Sequence, residues 1–239
     1  MIKIYGKNCV YEAIRANAKI KEFYILDTIT NKDKNIIDIL NNKHYKYQIV
    51  NKSKMDSMFT DSNQGYGAIR EDYEIYDESY LKNLNIKSGR VLLLDGIQDP
   101  HNLGAIIRSV DAFGYDLVIL PKNRSVSINQ TVAHVSTGAI EHVKICYVNS
   151  LLNAINILKD LNYWILATDA SGKDKVEDID KSLSLAVIIG SEGFGMSKTL
   201  VKQSDYIISI PMVGHVNSLN ASVSAGIVLK DLMKVNEWL

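Results

Sequence analysis

Five short apolar runs divide the second half of the chain, and they constrain its fold more than any other feature. They are VLLLD (91–95), LVIL (117–120), KICYV (144–148), WILAT (164–168) and SLAVIIG (184–190). Consecutive apolar residues, rather than alternating ones, are typical of strands covered on both faces, as in parallel sheets. Helical patterns lie between the runs, at residues 102–114, 130–139, 151–161 and 197–203. This alternation predicts an α/β domain with a mostly parallel sheet and helices on both faces.

The beginning of the chain has the pattern of a separate, smaller α/β unit. Short strand patterns such as 22–26 alternate there with helical patterns, the first of which begins near Asn8. Residues 75–89 are polar and charged with few apolar side chains, which predicts a linker. We therefore expect a small domain at 1–74, a linker at 75–89 and a larger domain at 90–239.

The composition is that of an ordinary globular protein and identifies no partner. Apolar residues make up 46% of the chain, and Lys+Arg equal Asp+Glu at 27 each, so RNA binding would need local patches of charge. No apolar run is long enough to span a membrane and the N-terminus lacks a signal-peptide core, so we expect a cytoplasmic protein. Cys9 and Cys146 lie far apart and form no metal-ligand pattern, which predicts buried free thiols and no metal site.

The loop after the first apolar run carries polar side chains between residues 95 and 108. Asn102 could cap the helix that follows, which accounts for it structurally. Arg108 lies about one and a half helical turns further on. An arginine beside Ile106 and Ile107 is either a solvated helix residue or a functional cation, and this segment alone leaves both interpretations open.

Three glycines follow the last apolar run, within the segment IIGSEGFGMS (188–197). They suggest a phosphate or nucleotide loop, because glycine leaves backbone amides accessible to a ligand. Their order is GxxGxG rather than GxGxxG, and no Walker A lysine follows, which disfavours a nucleotide-dependent oxidoreductase. Glu192 lies between these glycines, where it could cap the helix that begins near Ser197 or serve a site.

The segment 205–226, DYIISIPMVGHVNSLNASVSAG, runs from an apolar strand through a loop into a helix of small residues. Pro211 and Gly214 end the strand, and we expect Ser218 to be the N-cap of the helix. Small helix residues allow a ligand or another backbone to approach closely. The segment is therefore either a ligand cradle or an ordinary strand–loop–helix unit. No G-x-S-x-G elbow is present, so a hydrolase triad is unsupported.

Three motifs in this order, DPHNLGAIIRS, IIGSEGFGMS and ISIPMVGHVNSLNASVSAG, resemble the ordered motifs of the SpoU (TrmH) family of RNA ribose 2′-O-methyltransferases. YGKNCVYEAI and QGYGAI resemble the N-terminal substrate-binding domain of its RlmB-like branch, whose members methylate a guanosine ribose in 23S rRNA. The resemblance implies a mostly parallel, trefoil-knotted C-terminal domain of the SPOUT type and a small, ribosomal-protein-like N-terminal RNA-binding domain. True knots are nearly absent from proteins, so composition and periodicity could not have indicated this one.

The resemblance also implies S-adenosylmethionine as the methyl donor, with S-adenosylhomocysteine as the product. Its site would be built largely from backbone, which suits loops of small residues. The implied cofactor-binding residues are Thr168, Gly190, Ser191, Gly193, Ile210, Met212 and Leu219. The implied catalytic residue is Arg108, and the polar shell around it would consist of Asn102, Glu192, Ser218, Asn220 and Ser222. Because a guanidinium rarely gives up its proton, Arg108 fits better as a group that orients RNA and stabilises an alkoxide than as a general base.

Members of this family form homodimers through the knotted domain, with the active site near the interface. The final helix, with Ile227, Val228, Leu232 and Trp238, is compatible with that role and equally with packing inside the chain. The leading hypothesis is methylation of 23S rRNA, because minimal tRNA enzymes of the family lack an N-terminal domain. The alternatives are a tRNA methyltransferase, an enzyme for an antibiotic-resistance site in rRNA, and a non-catalytic RNA-binding or ribosome-assembly protein of the same fold.

Overall fold

The chain forms two compact units, one of which takes in a segment from the middle of the sequence. The computed structural model describes residues 1–191, 195–215 and 218–233. The first unit consists of Met1–Tyr73 and Ile128–His142, and the second of Glu74–Ser127 and Val143–Leu239. No helix within the described ranges is long and apolar enough to cross a membrane.

Strands and helices alternate along most of the chain. The elements before residue 74 are β1 (Ile2–Tyr5), α1 (Lys7–Arg15), β2 (Ile20–Leu26), α2 (Asp27–Lys32), α3 (Lys34–Asn42), β3 (Tyr47–Val50), α4 (Lys52–Met58) and β4 (Tyr66–Arg70). Those that follow are β5 (Ile75–Tyr76), α5 (Glu78–Lys82), β6 (Arg90–Asp95), α6 (Pro100–Ala112), β7 (Leu117–Pro121), α7 (Gln130–Val135), β8 (Lys144–Val148), α8 (Leu151–Asp160), β9 (Trp164–Thr168), β10 (Leu185–Gly190), α9 (Lys198–Gln203), β11 (Tyr206–Ile208) and α10 (Ala221–Asp231).

The first unit is built on a four-stranded sheet in the order β1-β4-β2-β3. β4 pairs antiparallel with β1 and β2, and β2 pairs parallel with β3. Buried side chains from the sheet and from α3, among them Phe23, Ile25, Ile36 and Leu40, form its core. The small α/β unit predicted at the start of the chain is therefore present.

Residues 128–142 were predicted to belong to the larger domain, but the structure places them in the first unit. Glu141 pairs with Arg70 of β4, and both side chains are buried, so loss of either partner would leave the other charge buried and unpaired. The ring of His134 stacks on that of Tyr5 at 4.2 Å between centroids. The helix predicted to run to residue 139 ends at Val135, and the backbone turns left-handed soon after it, at Thr137 with φ 52° and at Gly138 with φ 93°.

The second unit has a seven-stranded sheet in the order β11-β9-β10-β6-β7-β8-β5, and every pair of neighbours is parallel. The predicted parallel α/β domain is therefore confirmed. The prediction of a linker at 75–89 differs from the structure, where β5 pairs with β8 at the sheet edge. Leu81 of α5 and Leu84 are buried in the core of this unit. Two well-placed leucines anchor a segment whose overall polarity suggested a linker.

Both cysteines are buried and unpaired, as the sequence predicted. Burial raises the pKa of each thiol, Cys9 and Cys146, to about 12, so neither is a thiolate at neutral pH. Among the described residues there is no cluster of three or more His, Cys, Asp or Glu side chains that could hold a metal ion.

Arg90, at the start of β6, is fully buried and is bound by backbone carbonyls. Its guanidinium donates to the carbonyls of five residues, Ser88, Gly89, Lys181, Leu183 and Leu232. The bond from Nε to the carbonyl of Leu232 is 2.9 Å long and satisfies the C-terminal end of α10. Arg90 therefore ties α10 to the central strand β6.

Tyr163→Phe is expected to raise the free energy of unfolding by about 1 kcal/mol, because the native hydroxyl is buried without compensation. No described residue offers its Oη a hydrogen-bond partner. Burial raises the pKa of Tyr163 to about 12, so the hydroxyl is neutral at pH 7. Urea unfolding followed by circular dichroism measures the change.

Tyr147→Phe is the matched control for this substitution. The Oη of Tyr147 donates to the carbonyl of Val126 at 2.7 Å, so its removal should lower stability by about 1 kcal/mol. If both substitutions destabilised the protein equally, the hydroxyl of Tyr163 would have to form a hydrogen bond in the native protein.

Candidate active site

A cavity of about 460 Å³ opens at the carboxyl ends of β9, β10 and β11. Ligands of parallel α/β sheets bind at this edge, because loops from neighbouring strands meet there. Its described lining consists of Thr168, Asp169, Ala170, Ile189, Gly190, Ser191, Gly195, Ile208, Ile210, Met212, Ser218, Leu219, Ala221 and Ser224. We call this the smaller cavity.

Six of the seven residues predicted to bind the cofactor line the smaller cavity. They are Thr168, Gly190, Ser191, Ile210, Met212 and Leu219. The seventh, Gly193, lies outside the described residues, as do Glu192 and Trp238. Several further lining residues lie next to predicted ones in the sequence, among them Asp169, Ala170, Ile189 and Ala221. Whole segments, rather than isolated positions, therefore predict the lining.

Backbone packing explains why small residues occupy this edge. A Cβ on Gly190 would lie 2.6 Å from the backbone of Gly195 and Met196, so only glycine fits there. A Cβ on Gly172 would lie 2.4 Å from the backbone carbon of Ile208, where the loop after β9 crosses the end of β11. This crossing lies within the region where the resemblance implies a knot.

Side-chain hydrogen bonds fix two of the lining segments. The Oγ1 of Thr168 donates to the carbonyl of Ile188 at 2.9 Å, joining the ends of β9 and β10. The hydroxyl and the amide of Ser171 both donate to Asp169, and they lower the pKa of its carboxyl group. Asp169 therefore brings a negative charge to the smaller cavity.

A second cavity, of about 800 Å³, lies beside the first and shares Ser191, Gly195 and Ala221 with it. We call it the larger cavity. Its other lining residues come from the ends of β6 and β7, from the loops after β6, β7, β8 and β10, and from α6, α8 and α9: Asp95, Gly96, Ile97, Gln98, Asp99, Asn102, Pro121, Arg124, Asn149, Ser150, Leu151, Leu152, Met196, Ser197, Thr199 and Leu200. The two cavities together extend along the edge of the sheet from β11 to β8.

Asn102 and Asn220 meet beside these cavities, since the Nδ2 of Asn220 donates to the Oδ1 of Asn102 at 3.0 Å. Asn102 was a candidate cap for α6, but Asp99 is the cap and accepts from the amide of His101. Ser218 was expected to cap α10, but Asn220 is the cap and accepts from the amide of Ser222 at 2.9 Å. Asn102 is therefore available to pair across the site.

The polar residues predicted around the reaction centre are only partly brought together. Ser222 donates its hydroxyl to the Oδ1 of Asn220 at 2.6 Å, and Ser218 lines the smaller cavity. Arg108 is exposed on α6, lines neither cavity, and has no ion-pair partner within the described ranges. The structure thus groups Asn102, Ser218, Asn220 and Ser222 and leaves Arg108 on an open helix surface.

Comparison with known proteins gives the family. Residues 89–230 match the SpoU rRNA Methylase family, and residues 3–76 match the RNA 2′-O ribose methyltransferase substrate binding domain. The chain belongs to the SpoU family of RNA ribose 2′-O-methyltransferases, enzymes that use S-adenosylmethionine. The predicted fold class, enzyme class and cofactor are therefore confirmed.

Individual relatives differ in how much of this chain they cover. A protein of Staphylococcus saprophyticus named "Putative TrmH family tRNA/rRNA methyltransferase" is 42% identical over 242 residues, covering 100% of this chain and 97% of that protein. The structure of an AdoMet-bound rRNA methyltransferase from Sinorhizobium meliloti superposes with a TM-score of 0.79 at 21% identity, covering 97% of this chain and 86% of that one. The TrmH/SpoU tRNA modifying enzyme of A. aeolicus, with a TM-score of 0.55 at 27% identity, covers 65% of this chain and 81% of that one.

Proposed function

We propose that this enzyme methylates the 2′-hydroxyl of a guanosine ribose in 23S rRNA and that it acts in the cytoplasm. The observation that carries the proposal is the substrate-binding domain matched at residues 3–76. The similar rRNA methyltransferase spans 97% of this chain, whereas the tRNA modifying enzyme spans only 65%. A domain that minimal tRNA enzymes lack is best explained by a larger RNA substrate.

The smaller cavity fits S-adenosylmethionine. Its volume of about 460 Å³ lies within the usual range for small-molecule sites, roughly 300–1,000 Å³. Backbone atoms around Gly190 and Leu219 would read the adenine, and Asp169 would balance positive charge on the donor. Thr168, Ser191, Ile210 and Met212 would complete the lining, together with Gly193. When bound, the donor supplies an electrophilic methyl group.

The chain's own residues would position the acceptor and stabilise its developing charge. Aligning two reactants is the main requirement of a methyl transfer, and the paired Asn102 and Asn220 lie beside the shared lining of the two cavities. Arg108 would orient an RNA phosphate and stabilise the alkoxide, because its guanidinium keeps its proton and can only donate. Ser218, Ser222 and Glu192 would complete the polar shell.

A homodimer formed through the second unit would give the exposed surface of α6 and α10 a partner. Val223 and Ile227, one turn apart on α10, are 49% and 37% exposed. α10 packs beside α6, since a Cβ on Gly226 would lie 3.7 Å from the hydroxyl of Ser109. Arg108 on α6 would then lie close to the interface. The partner chain would bring to it the reacting groups that its own chain does not supply.

Asn220→Ala is expected to lower kcat about 100-fold, because Asn102 loses the donor that fixes its side chain. It should also lower the free energy of unfolding by about 1 kcal/mol, through loss of the α10 cap. Asn220→Asp separates the two effects, since aspartate caps a helix equally well but cannot donate to Asn102. Full activity in the aspartate variant would show that the bond between the two residues is not needed.

Mapping ribose methylation in cells that lack the protein tests the proposed substrate. We expect one 2′-O-methylated guanosine of 23S rRNA to become unmethylated and to be restored by the wild-type gene. Loss of a methyl group from tRNA alone would replace the proposal with its tRNA alternative. Intact methylation in both RNAs would favour a non-catalytic role in ribosome assembly.

A further inference from the structure

Three exposed amide or guanidinium side chains of the larger cavity have no hydrogen-bond or ion-pair partner within the described part of the chain. They are Gln98, Arg124 and Asn149, which follow the neighbouring strands β6, β7 and β8. Each of them lines the larger cavity, so their free donors and acceptors face one space. Unpaired polar groups that converge on a cavity at the carboxyl edge of a parallel sheet indicate a ligand.

The turn that carries Arg124 is held rigidly in an unfavourable conformation. Arg124 has a left-handed backbone with φ 61°, which is uncommon for a residue with a side chain. The hydroxyl of Ser125 donates to the carbonyl of Pro121, and the amide of Val126 donates to the carbonyl of Ile97 at 3.0 Å. A strained backbone conformation that the surrounding structure maintains is often found at functional positions.

Arg124 is the only cation among the described residues that line the larger cavity. Two carboxylates also line it, but both are engaged by backbone amides. Asp95 accepts from the amide of Ser197 at 3.0 Å, and Asp99 accepts from the amide of His101 at 3.0 Å. Arg124 is therefore left to bind an anion from outside the protein.

The remaining lining suits a nucleobase. The amide groups of Gln98 and Asn149 each offer donors and an acceptor, which is what the edge of a base requires. Leu151 and Met196 are buried apolar residues that line the same cavity and could contact the flat face of a base. Sequence-specific proteins read unpaired RNA bases in this way, with polar groups at the edge and apolar or aromatic groups at the face.

We propose that the larger cavity binds the acceptor nucleotide, with Arg124 on its phosphate and Gln98 and Asn149 on the edge of its base. The lining shared by the two cavities, at Ser191 and Ala221, places the sugar of that nucleotide beside the methyl donor. This assignment rests on the proposed function, because it takes the smaller cavity as the donor site. It makes Gln98 and Asn149 the residues that select the base.

Arg124→Met and Lys122→Met form a matched pair that tests the phosphate contact. Both remove one positive charge from the same loop, but Lys122 is exposed and does not line the cavity. We expect Arg124→Met to raise the KM for RNA at least tenfold and to lower the salt dependence of RNA binding by about one counterion. Lys122→Met should change KM less than about twofold, and neither variant should change the affinity for S-adenosylmethionine.

Arg124→Lys distinguishes the loss of a phosphate contact from a purely structural effect of Arg124→Met. Lysine keeps the positive charge but not the planar pair of donors, so it should recover part of the lost RNA affinity. Equal KM values for Arg124→Met and Lys122→Met would overturn the phosphate assignment. So would a loss in Arg124→Met that lysine does not recover at all.

Asn149→Ala and Gln98→Ala test base selection. The measurement is the relative rate on RNAs that carry each of the four bases at the mapped nucleotide. We expect the wild-type preference to fall about tenfold or more in each variant, because one matched hydrogen bond is lost. Asn153→Ala, an exposed asparagine on α8 outside the cavity, should keep the full preference.

The outcomes separate this assignment from the function on which it rests. An enzyme that binds S-adenosylmethionine and methylates RNA, but whose base preference is unchanged in Asn149→Ala and Gln98→Ala, would contradict the base assignment and leave the function standing. A wild-type protein that neither binds the donor nor methylates any RNA would instead remove the proposed function, and the assignment with it.

Discussion

Replacing Arg108 with alanine is expected to lower kcat by about 100- to 1,000-fold, the usual effect of removing a group that stabilises developing negative charge. The affinity for S-adenosylmethionine should not change, because Arg108 does not line the smaller cavity. Single-turnover methylation of the mapped RNA, combined with calorimetry of the donor, measures both quantities. Arg108→Lys should recover part of the rate, since it keeps the charge but not the planar fork of donors.

Lys202→Ala is the control for this prediction, because Lys202 is an exposed cation on α9 that lines neither cavity. It should retain the wild-type rate. If Arg108→Ala turned over RNA at a near-normal rate, Arg108 would be a solvated helix residue, and the chemistry would need another source of charge stabilisation.

Replacing Arg90 with methionine is expected to lower the free energy of unfolding by at least about 3 kcal/mol. The substitution removes the donor to five backbone carbonyls, of which that of Gly89 keeps a second donor, the amide of Leu185. Burial lowers the pKa of the Arg90 guanidinium, yet it stays charged at neutral pH, so its bonds are charge-assisted. Urea unfolding at pH 7 measures the loss.

Arg15→Met is the matched control, because the Arg15 side chain is 68% exposed and its one ion pair among the described residues is with Glu12 of its own helix. It should change stability by less than about 0.5 kcal/mol. Arg90→Met should also affect the site through α10. Arg90 binds the C-terminal end of this helix, and Asn220 of the site is its N-cap. Equal stabilities of the two variants would show that Arg90 does not hold α10.

The parallel sheet could be predicted from the sequence because most of its strands are continuous apolar runs that are buried on both faces. The sequence does not show where polar segments pack. Residues 75–89 contain only a few apolar side chains, yet Leu81 and Leu84 are enough to bury them. Residues 128–142 lie between two strands of the larger domain, and their place in the first unit depends on contacts such as that of Glu141 with Arg70.

The two helix caps lie two and three residues from the candidates that the sequence offered. Ser218 and Asn102 are good capping residue types, but Asn220 and Asp99 immediately precede α10 and α6 and take that role, while Asn102 lies inside α6. Residue type alone does not decide between neighbouring candidates. The difference matters for function, since an Asn102 that does not cap its own helix can accept from Asn220.

The site was predictable to the extent that it is made of motif segments. Much of the lining of the smaller cavity comes from segments that resemble the family motifs, and six of the seven residues predicted to bind the cofactor line it. The sequence does not indicate a role for Gln98, Arg124 and Asn149, because single polar residues in loops are common. Only the fold shows that these three share a cavity. Arg108 is conspicuous in its motif, but the chain by itself does not bring it to either cavity.

Calorimetry of S-adenosylmethionine binding tests the central claim most directly, namely that the smaller cavity holds the methyl donor. We expect one donor per chain for the wild-type protein. Gly190→Ala should weaken binding at least tenfold, because its Cβ would lie 2.6 Å from the backbone of Gly195 and Met196 and displace that lining. The absence of binding to the wild-type protein, with or without RNA, or undiminished binding to Gly190→Ala, would contradict it.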